Sequence, residues 1–272
     1  MARAAVVTHG LAEQIGAGVA RLQTVAREAG VELIIDPDEA AKHSVDASAE
    51  HGAPDIAVVL GGDGTMLRGL ARFLGTGVPV VGVNFGRVGF LSSIQRDELE
   101  SGLARVFAGE YDVVELPTIE VHVAGQRRVA VNDVVVASAE LGRMMELEWA
   151  VGGEELGRVP CDGLICSTPS GSTAYNLSNG GPVLMWGIDA MAVTFVAPHS
   201  LHARPLVVPR GRDVLAWNRT ASLAAAVLVD GHRFADVVPS ERVDIRLADE
   251  RSLLATLPET TFVSRYRQSF AT

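Results

Sequence analysis

The chain has 272 residues, of which 48% are hydrophobic and 21% are charged, values typical of a globular protein that can bury a sizeable core. Acidic residues (33) outnumber Lys and Arg (23), giving a formal net charge of −10, and because such a surface repels phosphate backbones a general nucleic-acid-binding protein is unexpected. No apolar run approaches the roughly 20 residues of a membrane-spanning helix, and the start of the chain does not resemble a signal peptide, so we expect a cytoplasmic protein without membrane contact.

The first part of the chain alternates strand-like and helical patterns. The stretch from Pro37 to Pro54 is polar and predicts a loop with one short helix. Strands that alternate with helices favour a parallel sheet with helices on both faces. The strand-like runs are 4–10, 31–36, 54–60 and 78–85, and the helical runs are 11–30 and 65–77.

After about Leu116 short strand-like runs follow one another, with hairpin signals between several of them, at 124–126, at 152–155 and at Asp230-Gly231. We therefore predict an α/β N-terminal domain with a parallel sheet (1–115) and a mostly β C-terminal domain (116–258). For residues 259–272 we expect a tail, whose packing on the first domain the sequence leaves open. The later strand-like runs are 118–124, 128–137, 144–151, 191–197, 213–218, 222–230, 233–239 and 241–249, and one helical segment spans 172–179.

The two cysteines, Cys161 and Cys166, flank a strand-like run. Five residues of extended chain span about 16 Å, which is beyond the reach of a disulfide. Two cysteines without a nearby histidine are also a poor zinc site. We expect two reduced thiols and no metal site built by the protein itself.

The sequence Gly61-Gly62-Asp63-Gly64-Thr65 stands directly after a strand-like run and before a helical one. Glycines let backbone N–H groups approach a phosphate, and the positive end of the helix lies at the same place. Asp63 could bind Mg²⁺ or accept the proton of a hydroxyl that attacks a phosphate; the alternative is a helix-capping Asp. Arg68, one turn into the helix, could reach a phosphate, although most such side chains are only solvated.

A second glycine-rich loop, from Asn84 to Phe90, follows the next strand-like run. Ligands bind beyond the carboxyl ends of parallel strands, so two such loops indicate a shared crevice. Phe85 could stack on a base or a nicotinamide ring there, or it could be part of ordinary packing.

Two polar clusters fall in the predicted β domain. From Asp162 to Tyr175 hydroxyls and glycines crowd a strand-to-helix turn, more than helix capping requires, and the surplus suggests hydrogen-bonding groups for a sugar or a phosphate. Asn132 and Asp133 interrupt an apolar run. They either hydrogen-bond to their surroundings or hold a ligand's ribose or amide.

These clusters together resemble the NAD kinase family. The matching stretches are GGDGTMLR, VPVVGVNFGRVGFL, VNDVVV, DGLICSTPSGSTAYNLSNGGPV and ARPLVVP, in the family's order across residues 58–208. GGDGT is shared with diacylglycerol and sphingosine kinases, whereas the long STPSGSTAY stretch is highly specific. The resemblance implies an N-terminal α/β domain, a β-rich C-terminal domain and an active site between them.

Residue by residue, the resemblance implies that Asp63 is the base acting on the ribose 2′-hydroxyl. The family's usual Asn-Glu pair is Asn132-Asp133 here, and a family Thr is Ser170, so a methylene and a methyl group are lost. The remaining NAD-contacting positions that it implies are Gly64, Arg68, Asn132, Asp133, Arg143, Asp162, Thr173, Ala174, Tyr175, Asn176, Leu177, Ser178 and, less securely, His232.

The function expected from this resemblance is transfer of the γ-phosphate of ATP to the 2′-hydroxyl of the adenosine ribose of NAD, giving NADP. Mg²⁺ on the nucleotide, ATP or polyphosphate as the donor, and a homodimer or homotetramer are further expectations. One alternative is a lipid kinase with the same GGDGT loop; the acidic composition and the missing amphipathic membrane stretch count against it. Another is a non-catalytic NAD(P)-binding sensor, in which a carboxylate at Asp63 would have little use.

Overall fold

The computed structural model describes residues 1–48, 52–86, 89–140, 142–200 and 202–270. By its contacts the chain divides into two compact units: Met1–Glu115 with Ser252–Thr272, and Leu116–Arg251. The helices and strands, in chain order, are β1 (Arg3–Thr8), α1 (Gly18–Ala29), β2 (Glu32–Ile34), α2 (Pro37–His43), β3 (Ile56–Gly61), α3 (Asp63–Arg72), β4 (Val80–Asn84), β5 (Ile94–Gln95), α4 (Leu99–Phe107), β6 (Asp112–Val123), β7 (Gln126–Ala130), β8 (Asp133–Ser138), β9 (Met145–Val151), β10 (Glu154–Cys161), β11 (Gly163–Ser167), α5 (Tyr175–Ser178), β12 (Ala190–Val196), β13 (Leu206–Pro209), β14 (Val214–Asn218), β15 (Ala225–Val229), β16 (His232–Val237), β17 (Arg242–Thr256) and α6 (Phe262–Phe270).

The first unit is built on a parallel sheet with the strand order β2-β1-β3-β4. Every residue of β3 and of β4 is buried, as expected for strands covered on both faces. β4 also pairs in parallel with β5 and, through Leu254, with the end of β17. The predicted α/β class with a parallel sheet is confirmed, and the carboxyl ends of β1, β3 and β4 meet at one edge.

Two helices of the first unit differ from the prediction. The helical run 11–30 is a short 3₁₀ turn (Ala12–Gln14) followed by α1, because Gly16 between them has a φ of 55° and breaks the helix. The helix α4 was not predicted, although its buried side chains Leu99, Leu103 and Val106 recur at helical spacing.

The second unit contains two antiparallel sheets. One has the order β10-β9-β14-β17, with β6 pairing with β17 and β7; the other has the order β13-β12-β11-β8-β15-β16. Buried apolar side chains of both sheets, among them Leu147, Val136 and Ile245, form a single core cluster. The hairpins predicted at 124–126, at 152–155 and at Asp230-Gly231 join β6 to β7, β9 to β10 and β15 to β16. The prediction of a mostly β second part is confirmed.

One predicted strand of this unit was wrong. The run 128–137 is two strands, since β7 ends at Ala130 and β8 begins at Asp133 in the other sheet. The cause is the carboxylate of Asp230, which accepts the backbone N–H groups of Val131, Asn132 and Asp133 and bends the chain around itself.

Both cysteines are free and buried, and burial raises the pKa of Cys161 to about 12, so that thiol is protonated at neutral pH. Among the helices that the structure describes, none is long and apolar enough to span a membrane.

Candidate active site

A pocket of about 300 Å³ lies where the first unit's parallel strands end. It opens at the N-terminus of α3, where unpaired backbone N–H groups and the helix dipole favour an anion. Three predicted site residues, Gly64, Arg68 and Phe85, belong to its wall. The lining residues are His9, Gly10, Gln14, Gly61, Gly62, Gly64, Thr65, Arg68, Phe85 and Gly86.

The carboxylate of Asp63 is held at the start of α3 by a neighbouring loop. Its Oδ2 accepts the backbone N–H of Phe90 (2.8 Å), and its Oδ1 accepts that of Leu91 (3.1 Å). These bonds tie α3 to the loop after β4. A carboxylate offers about four lone-pair positions, so Asp63 is oriented and can still accept a proton from a substrate hydroxyl.

Gly89 allows this arrangement because it has no side chain. A Cβ at this position would lie 2.5 Å from Cγ of Asp63 and 2.7 Å from its Oδ2, closer than such atoms approach one another. The second glycine-rich loop of the sequence therefore supports Asp63. Arg87 and Val88 of that loop lie outside the described residues.

Arg68 and Phe85 are placed at the pocket in different ways. Arg68 is exposed, and its Nη2 donates to the carbonyl of Thr8 at the end of β1. Phe85 is half-buried and packs against the unit's core, with the guanidinium of Arg96 5.4 Å from the centre of its ring. Phe85 thus packs against the core and also lines the pocket, and its stacking on a ligand ring stays a prediction.

In the second unit Asn132, Asp133 and His232 surround the Asp230 turn. The Asn132 side-chain oxygen is buried and finds no hydrogen-bond partner among the described residues, so it is an unsatisfied acceptor in this structure. His232 is exposed, and its Nδ1 lies 2.9 Å from the carbonyl of Asp230. Asp133 is 6% exposed.

Burial raises the pKa of the Asp133 carboxyl to about 7, and the charge of Asp230 adds to the rise. The pKa of Asp230 is also raised by burial, while the three N–H groups that it accepts oppose this. Two carboxyls that share a buried site disfavour each other's ionisation. Near neutral pH Asp133 is therefore poised to gain or lose a proton, as its surroundings change.

We expect Asp133→Asn to stabilise the chain at pH 8 more than at pH 5.5. The folded chain keeps the Asp133 proton up to about pH 7, whereas the unfolded carboxyl loses it near 3.8, so the free energy of unfolding falls as pH rises between these values. An Asn at this position does not titrate. The difference in free energy of unfolding between the variant and the parent chain should therefore grow by about 2 kcal/mol from pH 5.5 to pH 8. Urea denaturation measures it, with the exposed Asp162→Asn as control; an equal advantage at both pH values would contradict the assignment.

The hydroxyls around Ser170 serve the fold rather than standing free, which corrects their interpretation as surplus ligand groups. Those of Thr168 and Ser170 donate to the carbonyl of Val131 (2.7 and 3.0 Å), and that of Ser172 donates to Pro169 (2.7 Å). Gly171 lets this turn approach closely, since a Cβ there would lie 2.5 Å from the carbonyl carbon of Asn132. The turn thereby fixes the backbone on either side of Asn132.

The predicted residues 173–178 fall into accessible and internal positions. Tyr175 and Ser178 are exposed, and Thr173, Ala174 and Leu177 are half-buried. Asn176 is fully buried; its Nδ2 donates to Ser172 and Pro182, and its Oδ1 accepts the hydroxyl of Thr194. The amide of Asn176 therefore holds the short helix α5 in place.

Arg143 and Asp162 are not brought together with Asp133. Both are exposed and lie near the end of β8 at Ser138, whose N–H donates to the carbonyl of Asp162. Asp133 is at the other end of that strand, five residues away, which is about 17 Å of extended chain. Within the second unit the predicted residues thus form two separate groups.

Sequence reasoning missed several residues of the first unit's site. His9 and Gln14 line the pocket, and the signal that could have indicated them is their place in the short connection between β1 and α1. Arg265, from the distant α6, donates through Nη1 to the carbonyl of Gly89 (3.0 Å). In the sequence, Arg265 is indicated only as a charged residue among the aromatic side chains of the final segment.

The surroundings of Asp63 do not suit a metal ion held by protein ligands. The charge that acts on Asp63 is that of the cation Arg265, and it opposes a second cation at this place. Among the described residues no group of three or more His, Cys, Asp or Glu side chains could hold a metal ion.

Two family models match the chain: the ATP-NAD kinase N-terminal domain over residues 9–111 and the ATP-NAD kinase C-terminal domain over residues 131–257. An NAD kinase of Heliobacterium modesticaldum is 39% identical over 219 residues, which cover 79% of this chain and 77% of the relative. An NAD kinase of Thermobifida fusca is 33% identical over 280 residues, covering 100% and 82%.

Two solved structures have the same fold. A yeast NADH kinase complexed with NADH superposes with a TM-score of 0.86 at 22% identity, over 99% of this chain and 87% of that one. An NAD kinase from Archaeoglobus fulgidus in complex with ATP superposes with a TM-score of 0.77 at 26% identity, over 98% and 97%.

The glycine-rich site lies within the matched ATP-NAD kinase N-terminal domain, and this match identifies the chain as a phosphotransferase. The two family models and the relatives make the assignment specific: the chain belongs to the NAD kinase family.

Proposed function

We propose that the chain transfers the γ-phosphoryl group of ATP to the 2′-hydroxyl of the adenosine ribose of NAD, giving NADP and ADP. The observation that carries this proposal is the oriented carboxylate of Asp63, beside a pocket at the N-terminus of α3. The relatives named NAD kinase and the ATP complex of the Archaeoglobus protein support it. They give no support to the lipid kinase or to the non-catalytic sensor.

In this reaction Asp63 accepts the proton of the ribose hydroxyl. The hydroxyl oxygen forms a bond to the γ-phosphorus while the bond from that phosphorus to the β–γ bridging oxygen breaks, and ADP leaves. A weakly nucleophilic hydroxyl gains about 10²–10⁴-fold in rate from such a base. The N–H groups of the glycine loop and of the first turn of α3 stabilise negative charge on the phosphates.

The NAD-contacting residues remain part of the proposal. Gly64, Arg68 and Phe85 line the pocket, and the buried acceptor of Asn132 offers a place for a ligand's amide or hydroxyl. The other contacting positions that we propose are Asp133, Arg143, Asp162, His232 and the accessible residues of 173–178, namely Thr173, Ala174, Tyr175, Leu177 and Ser178.

Mg²⁺ enters with the triphosphate, as part of the nucleotide substrate, because the groups around Asp63 do not form a ligand set for it. We further propose a location in the cytoplasm and a homodimer or homotetramer. The two predicted domains, 1–115 and 116–258, are proposed as the nucleotide-binding and NAD-binding parts.

Incubation of the purified chain with NAD, ATP and Mg²⁺ tests the function. We expect NADP to accumulate with one ADP formed for each NADP, measured by an NADP-specific dehydrogenase and by chromatography. Omission of ATP should abolish the product, and inorganic polyphosphate in its place tests the second donor. If folded chain forms no NADP with either donor, the proposed function is wrong.

A further inference from the structure

The helix α6 buries an arginine. Arg265 is 4% exposed and is the buried residue of α6, whereas Arg267, two positions further on, is exposed. A helix that docks only for packing gains most from an apolar side chain at its buried position, because a buried guanidinium loses its hydration. The residue type at position 265 therefore calls for an explanation other than packing.

The contacts of Arg265 lead to the carboxylate of Asp63. Its Nη1 donates to the carbonyl of Gly89 (3.0 Å), and the next two backbone N–H groups, those of Phe90 and Leu91, are the ones that Asp63 accepts. Since the three residues are consecutive, a bond that fixes the Gly89 carbonyl also limits the positions of those N–H groups.

Aromatic side chains hold α6 against the same segment. The ring of Phe90 lies 5.8 Å from that of Phe262 and 5.6 Å from that of Phe270, and Tyr266 lies 5.1 Å from Phe270. Aromatic pairs at such distances contribute about 0.5–1.5 kcal/mol each beyond the area that they bury. The contacts of Phe90 with Phe262 and with Phe270 therefore contribute to the docking of α6 without involving the charge of Arg265.

The charges of Arg265 and Asp63 interact. Burial lowers the pKa of Arg265 to about 10, and the negative charge of Asp63 opposes that fall, so the guanidinium is a cation at neutral pH. Its Nε is buried and has no hydrogen-bond partner among the described residues. A cation in this position is maintained at a cost in stability, which a role at the neighbouring carboxylate would explain.

We propose that Arg265 is a positioning residue for the phosphoryl transfer: by holding the Gly89 carbonyl it fixes the two backbone N–H groups that orient the carboxylate of Asp63. This inference rests on the proposed function, since it assigns Arg265 a role in that reaction. Arg265 acts on the substrate only through Asp63.

Arg265→Met tests the proposal, because Met keeps much of the volume and removes the charge and the donors. We expect the turnover number for NADP formation to fall at least 10-fold, since a small misplacement of a reacting group costs up to about 10²-fold. The dissociation constant for NAD, measured by calorimetry, should change less than about 2-fold. Arg267→Met on the exposed face of α6 is the matched control and should keep wild-type turnover.

A double-mutant cycle separates positioning from a general structural effect. If Arg265 acts through Asp63, adding Arg265→Met to Asp63→Asn should leave the residual turnover nearly unchanged, followed with an enzymatic cycling assay for NADP. An equal fold-loss in both backgrounds would overturn the proposal, as would Arg265→Met turnover equal to that of Arg267→Met.

Arg265→Lys provides a second variant that keeps the buried charge. We expect it to restore part of the turnover lost in Arg265→Met, since an ammonium can donate to the Gly89 carbonyl; no restoration in folded protein would contradict the proposal. Should Arg265→Met fail to fold, Arg265→Lys enters the same cycle with Asp63→Asn under the same criteria. If the wild-type chain forms no NADP, the proposed function is wrong. That result differs from the ones that would overturn the role of Arg265, so the two proposals are tested separately.

Discussion

Asp63→Asn is expected to lower the turnover number for NADP formation at least about 100-fold while NAD still binds. The amide keeps the size of the side chain and one acceptor oxygen, so it can still accept one of the N–H groups of Phe90 and Leu91. It loses the basicity and the negative charge. Turnover should therefore fall far more than the affinity for NAD, measured by calorimetry, and Asp97→Asn on an exposed Asp of the same unit is the control.

Two other roles of Asp63 predict different results for the same variant. If Asp63 bound Mg²⁺, a higher Mg²⁺ concentration should restore much of the turnover. If its task were only to tie α3 to the loop at Phe90, the variant should lose about 1–3 kcal/mol of stability and keep its turnover. Near-normal turnover at ordinary Mg²⁺ would rule out the role as a base.

Asp230→Ala is expected to destabilise the chain by about 5 kcal/mol in urea denaturation. The Asp230 carboxylate accepts three backbone N–H groups, at 2.9 Å from Val131, 2.7 Å from Asn132 and 3.2 Å from Asp133. A hydrogen bond to a charged group contributes about 1.5–3 kcal/mol, and its loss leaves a part-buried donor without a partner. Relief of the repulsion between Asp230 and Asp133 offsets part of this loss.

Asp230→Asn is the matched variant, since Asn tolerates the φ of 50° at this turn and keeps one acceptor oxygen. It should lose less than half of what Asp230→Ala loses, because one oxygen can still accept the N–H groups of Asn132 and Asp133. An Asp230→Ala variant as stable as the parent chain would mean that the bend between β7 and β8 does not depend on this carboxylate.

The sequence predicted the parallel sheet because its strands are short apolar runs separated by helical periodicity, a local signal. The same local rule failed at Val131 and Asn132, where strand-like apolar residues stand on both sides but the chain turns. The bend depends on Asp230, which is 98 residues away from Asn132. Hydrophobic pattern carries no information about such a distant acceptor.

The same difference between local sequence signals and distant contacts applies to the candidate site. Asp63, Gly64 and Arg68 stand in one short motif and could be identified from it. The hydroxyls of Thr168 and Ser170 were equally visible, but their use as anchors for the carbonyl of Val131 depends on contacts across the unit. Motif reasoning finds which groups are polar and close in sequence, and the fold decides which of them remain available to a ligand.

The bond between Arg265 and the Gly89 carbonyl joins positions that are 176 residues apart, and all of Leu116–Arg251 folds as a separate unit between them. As the ribosome extends the chain from its N-terminus, the loop that orients Asp63 is made well before α6, whose residues are translated only after Leu116–Arg251. Closing a connection of this length also costs chain entropy. This cost is smaller once the intervening unit is compact. The contact between Arg265 and the loop that orients Asp63 therefore forms only after the chain of the second unit has been made.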